Sequence, residues 1–213
     1  MKVKKHIPGF DLPNLHNKAF EFAIVSNREI LDHNIPTNHD PFRPHRIHFY
    51  AILFILEGNG KHFIDFKSYD YQKGSVIFIA KDQVQAFQKN DDREAYFLLF
   101  TENFIERGSL SSNLMQELSL YNYHLYSPVI NLEGDGMNIF KSLVNRIKKE
   151  YDAPDDNLTE EIIQSSLKIF LGLSERKRKK NQSTLSVSKY QIEFNQFQNV
   201  GDHRRGRVDA TRE

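Results

Sequence analysis

From Arg46 to Leu56 the chain reads RIHFYAILFIL, and apart from Arg46 and His48 every position is apolar or aromatic. Successive side chains of a β-strand point to opposite faces. One face of this strand carries Ile47, Phe49, Ala51, Leu53 and Ile55, and the other carries Tyr50, Ile52, Phe54 and Leu56. A strand that is apolar on both faces must be covered on both. One face is expected to line the interior of a sandwich or barrel. The other needs a second layer, which the helical segments later in the chain can supply.

Further short runs of β-branched and aromatic residues lie at about 20–26, 61–66, 75–80, 84–88 and 94–100. Turn residues separate them: Pro36, Pro41 and Pro44 in one long loop, Gly58-Asn59-Gly60, Lys73-Gly74 and Asn90-Asp91-Asp92. Gly58-Asn59-Gly60 is read as a hairpin turn. Many short strands between such turns predict an antiparallel sandwich or barrel.

After Phe100 the apolar period lengthens to that of a helix. Thr101 can cap a short helix that Gly108 ends, and 109–121 has helical composition. Met137, Phe140, Val144, Ile147 and Tyr151 recur at steps of three and four until Ala153-Pro154-Asp155-Asp156 stops the helix. Asn157 and Glu160 are spaced as a capping box, and Ile163, Leu167, Phe170 and Leu171 form the next stripe. These helices read as an αα-hairpin. Its apolar stripes either complete the core or form a subunit interface, with Phe140, Val144, Ile147, Ile163, Leu167, Phe170 and Leu171 as the interface residues.

The run Glu175-Arg176-Lys177-Arg178-Lys179-Lys180 fits cations at a helix C-terminus, with phosphate contact as the sharper alternative. The polar stretch 181–188 has the composition of a linker. Val187, Tyr190, Phe194 and Phe197 have helical spacing, and from Gly201 onward almost nothing could be buried. That ending reads as a disordered tail, either native or coded outside the original frame from near Val200.

With 29 basic and 28 acidic residues the formal net charge is +1, so the whole chain exerts no long-range attraction for nucleic acid. Cysteine is absent, which excludes disulfides and thiolate metal sites. The opening MKVKKHIPGFDLPNL is broken by Pro8 and Pro13 and is not a signal peptide. No apolar run approaches the roughly 20 residues of a membrane helix. A cytoplasmic protein without membrane partners is expected.

A metal site inside such a barrel needs ligands that alternate along a strand. Here His45 stands in the first slot, but the next are Ile47 and Ala51, the later strand offers Gln85, and His48 falls on the opposite face. One ligand in four does not hold a catalytic metal. His33, His39 and His62 lack partners at regular spacing. No serine nucleophile turn or phosphate loop is present. No metal, no cofactor and no enzymatic activity are expected, the rival being a metal-dependent barrel enzyme.

The run PHRIHFYAILFILEGNGKHFIDF at 44–66 resembles the N-terminal cupin-like domain of AraC-type transcription regulators. KGSVIFI at 73–79, QVQAF at 83–87 and YFLLFTENF at 96–104 continue the likeness, which extends over about 10–198. The resemblance implies a cupin-like antiparallel β-barrel over 1–105 followed by a helical hairpin for dimerisation over 106–180. A linker and the opening of a DNA-binding domain would occupy 181–213, with the helix-turn-helix units themselves missing. It implies a sensor that binds a small effector, pairs with a second copy and does not bind DNA by itself, or a stand-alone small-molecule-binding cupin. Candidate ligand-lining residues are His45, Ile47, Phe49, Ala51, Phe78 and Gln85, unless they are ordinary core.

Overall fold

The computed structural model describes residues 7–12, 18–32, 40–89, 92–107, 118–122 and 124–205. Two five-stranded sheets form its frame. In the first, β1 (Gly9–Phe10), β3 (His45–Ile47), β8 (Val84–Phe87), β5 (Gly60–Ile64) and β6 (Lys67–Tyr71) lie side by side. In the second the order is β10 (Val129–Asn131), β7 (Ser75–Ile79), β4 (Tyr50–Glu57), β9 (Glu94–Phe100) and β2 (Phe22–Ser26). Among the described residues the pairings are antiparallel except β1 with β3, which is parallel. The fold is cupin-like, mainly β with helices packed on one side. Among the described residues no strand pairing joins the two sheets into a closed barrel.

The two-faced strand behaves as its pattern predicts, with one change. The chain bends at His48-Phe49, so that β3 belongs to the first sheet and β4 to the second. Ile47, Phe49, Ala51, Leu53 and Ile55 all join the core between the sheets, together with Ile64, Ile77, Ile79 and Phe97. Ile52 and Phe54 join a second core on the outer face of the second sheet, and Tyr50 and Leu56 pack against it. That outer core is roofed by α3 (Asp135–Asp152) and the first turns of α4 (Thr159–Arg205).

Phe140, Val144, Ile147, Ile163, Leu167, Phe170 and Leu171 are therefore core residues of this chain, each at most 4% exposed. Phe140 and Phe170 meet edge to face at 4.7 Å, and both lie 6.5 Å from Phe54 of β4. This corrects the assignment of these seven side chains to a subunit interface. An apolar stripe reports that a helix face is buried and not what buries it, and here the outer face of β4 and its neighbours needed the cover.

Three local expectations also change. Gly58-Asn59 does not close a hairpin: Gly58 (φ 92°) carries the chain from the second sheet to the first, where β5 pairs with β6 and β8. The tight hairpin turn is Asp65-Phe66, with φ of 46° and 65°. The Asp65 carboxylate secures it by accepting from Gln83 Nε2 at 2.8 Å and from the Val84 amide at 3.0 Å. The cap of α4 is Asp156, whose carboxylate accepts from the amides of Leu158 and Thr159, while the Thr159 hydroxyl accepts from the Asp156 amide. Asn157 and Glu160 do not form it.

Asn27–Asp32 form the short α1, and Thr101 caps α2 (Glu102–Glu106) as expected, its hydroxyl accepting from the Phe104 amide. The chain divides into two compact units, 1–174 and 175–213. In the second, backbone helix continues through 181–188 and on to Arg205 where a linker and tail were expected. Polar composition does not break a helix, and no Gly or Pro occurs between Leu173 and Val200. The side chains of Val187, Tyr190, Phe194 and Phe197, and residues 206–213, lie outside the described residues. Within this unit the Arg178 guanidinium makes paired hydrogen bonds to Glu175 at 2.6 and 3.1 Å.

Candidate ligand-binding site

Strand register decides what enters the space between the sheets. His45 pairs with Gln85 across β3 and β8, Ile64 pairs with Gln85 across β5 and β8, and His62 pairs with Phe87. Cross-strand partners share a face. His45, His62, Ile64, Gln85 and Phe87 therefore point inward together, and Tyr69 and Tyr71 of β6 follow in the same register. The facing wall, from β4, β7 and β9, is made of Ala51, Leu53, Ile55, Ile77, Ile79, Ala95 and Phe97.

The interior is thus polar on one side only. His62 is fully buried and its Nε2 lies 3.1 Å from Gln85 Oε1. The imidazole packs on Phe87 with ring centroids 4.5 Å apart. Burial pushes the His62 pKa down to about 3, with the positive charge of Arg93 and the neighbouring His45 acting the same way and the Gln85 hydrogen bond opposing them. His62 is neutral at physiological pH. His45 is also shifted down by burial, partly offset by its 2.9 Å contact with the Arg43 carbonyl.

Arg93 stands just ahead of β9, its guanidinium 4.0 Å from the Phe87 ring centre and 5.7 Å from that of Phe97. One of its nitrogens reaches the Tyr71 hydroxyl at 3.4 Å. These contacts place a cation beside two interior aromatic rings.

Five of the six expected lining residues, His45, Ile47, Phe49, Ala51 and Gln85, face this interior. Phe78 does not. It pairs with Ile52, shares its outward face and packs against Tyr121 at 5.7 Å in the layer under the helices. All five residues of β7 are buried, so periodicity did not mark its inward pair, Ile77 and Ile79. His62 was passed over as a solitary histidine. Its inward phase was available in the alternation of buried His62 and Ile64 with exposed Lys61 and partly exposed Phe63.

His48 lies on the outer side, its Nδ1 2.7 Å from Asp82. Among the described residues no three histidine, aspartate or glutamate side chains converge on a metal position. His33 and His39 lie outside the described residues. No described helix is long and apolar enough to cross a membrane.

A sequence model of the AraC-like ligand binding domain matches residues 33–167, more than half of the chain. The chain belongs to that family. Solved structures similar to the AraC-like domain, all at low identity, include two of ToxT and one of CuxR. An apo form of ToxT from Vibrio cholerae is 15% identical, with a TM-score of 0.44 over 75% of this chain and 57% of that one. ToxT with unsaturated fatty acid bound is 18% identical, with a TM-score of 0.39 over 75% and 55%. The AraC-like transcriptional activator CuxR is 9% identical, with a TM-score of 0.38 over 59% and 43%. All three scores fall below 0.5, and the AraC-like domain spans little more than half of either ToxT chain. No curated protein matches it.

Proposed function

We propose that this AraC-like domain is the effector-sensing and dimerising part of a regulator of DNA-templated transcription, with the effector held between the sheets. The observation that carries the reading is the one-sided polar interior. Burying a polar group costs free energy unless it finds a partner, and although His62 and Gln85 satisfy each other at 3.1 Å, the second ring nitrogen of His62 is buried with no hydrogen-bond partner among the described residues. A ligand pocket uses such groups to orient its occupant against an apolar wall. His45, Ile47, Phe49, Ala51 and Gln85 are the proposed lining, joined by His62.

Pairing is assigned to the outward side of the helical hairpin, since its inner stripe is core. Ile139 and Ile169 are about half exposed, at 51% and 53%, and Leu143, Ile162 and Ile169 line a groove of about 220 Å³ flanked by Arg146 and Glu161. A two-fold axis along this groove sets Arg146 of one copy near Glu161 of the other. The balanced charge gives the whole chain no long-range attraction for DNA, and the proposed role is that of a cytoplasmic sensor that contacts DNA only through another domain and uses neither metal nor catalysis.

The test is thermal unfolding in the presence of defined pools of small metabolites, with wild type beside Ala51→Val. Pools that raise the wild-type midpoint and leave the variant unmoved support the interior site. Equal shifts in both proteins contradict it. A salt-sensitive complex of the purified chain with DNA contradicts the assignment of DNA contact elsewhere.

A further inference from the structure

We propose that His62 sets the chemistry of the effector, its Nδ1 accepting a hydrogen bond from a hydroxyl or N–H group of an uncharged ligand. This rests on reading the interior as the effector site. The Gln85 Oε1 atom is a carbonyl oxygen and only accepts, so His62 Nε2, 3.1 Å away, carries the hydrogen. A neutral imidazole holds one N–H, which leaves Nδ1 as a bare lone pair. That atom is buried and has no hydrogen-bond partner among the described residues. Buried acceptors in native proteins are nearly always satisfied, so Nδ1 marks a position that a donor fills.

The surroundings narrow the class. A carboxylate or phosphate sets acceptor against acceptor at Nδ1. An ammonium ion meets the positive charge of Arg93, whose field already acts on His62. An uncharged donor satisfies both conditions. Beside His62 the surroundings are apolar: the Phe87 ring lies tilted against the imidazole at 4.5 Å and meets Phe97 edge to face at 5.9 Å, and Ala51, Leu53 and Ile77 belong to the same core. The ligand therefore has one hydrogen-bonding edge and one apolar face.

The experiment uses the full chain labelled with ¹⁵N-histidine and ¹³C-methyl isoleucine, titrated with the matched probes phenol and toluene, then indole and indene. The free protein is expected to show His62 with hydrogen on Nε2 and none on Nδ1. Phenol or indole then moves the Nδ1 resonance and the methyls of Ile64 and Ile77, while toluene and indene bind at least about tenfold more weakly. His62→Phe removes that preference, and its melting curve reports whether it folds; the wild-type spectra stand without it. Hydrogen on Nδ1 overturns the proposal. Equal entry of the donor-free probes also overturns it, and leaves the interior site in place. If no probe moves an interior methyl and Nδ1 holds only a buried water, both readings fall.

Discussion

Gln85 and His62 face each other across β5 and β8, the amide oxygen taking a hydrogen bond from the ring at 3.1 Å with both side chains closed to solvent. Replacing Gln85 by leucine keeps the volume and strands the His62 N–H in an apolar interior. Gln85→Leu is expected to lower stability by about 1–3 kcal/mol, read from the urea midpoint. An unchanged midpoint would mean that the pair is not formed.

The same histidine gives the stability a definite pH dependence. Its folded pKa is near 3 and its unfolded value near 6.5, so between those values the unfolded state binds the extra proton. The contribution is fully present above about pH 6.5 and is lost as pH falls toward 3, at up to roughly 1.4 kcal/mol per pH unit for that proton. His45, shifted the same way, steepens the loss. Glu29 is different. Burial raises its pKa, but hydrogen bonds from Lys148 and Ser26 outweigh that and leave it below 4.5, so its contribution disappears only at lower pH. The window from pH 6.5 to 4.5 thus isolates the histidines. Unfolding curves of His62→Leu across it should be flatter than wild type, and parallel curves would refute the assignment.

The hairpin has an inner and an outer face with opposite expected responses. Phe170→Ala opens a cavity against Phe140 and Phe54 and should cost about 3–5 kcal/mol. Ile139→Ser with Ile169→Ser should change monomer stability by no more than about 0.5 kcal/mol each. Sedimentation should move that double variant from dimer to monomer. A double variant that sediments as wild type removes the outward face as the contact.

Phe66 holds a left-handed backbone at φ 65° while its ring is 78% exposed. A type I′ turn favours glycine here, and left-handed backbone costs a residue with a Cβ on the order of 1 kcal/mol. Phe66→Gly is expected to stabilise the protein by about that amount in thermal unfolding. Asp65 keeps its bonds to Gln83 and Val84, so the turn itself is retained.

Much of this architecture is legible in the residues. The pattern from Ile47 to Leu56 separates the two cores by itself, since strand alternation needs no tertiary information. What is hidden depends on register or on partners. Phe78 faces outward because it pairs with Ile52, and a strand buried on both faces gives no phase of its own. The Gly-Asn-Gly segment looks like a hairpin because the working turn, Asp65-Phe66, contains no glycine. His62 gains its meaning from Gln85, 23 positions away in the chain and within hydrogen-bond reach only once the sheet has formed.

The most direct test of the central claim is a methyl spectrum of isoleucine-labelled protein titrated with defined metabolite pools. The interior contributes Ile47, Ile55, Ile64, Ile77 and Ile79, and the helix-covered layer contributes Ile24, Ile52, Ile147 and Ile163, so one residue type reports on both cores. An effector held between the sheets shifts the first group and leaves the second nearly still. Shifts confined to the second group, or none with any pool, would contradict an effector site between the sheets.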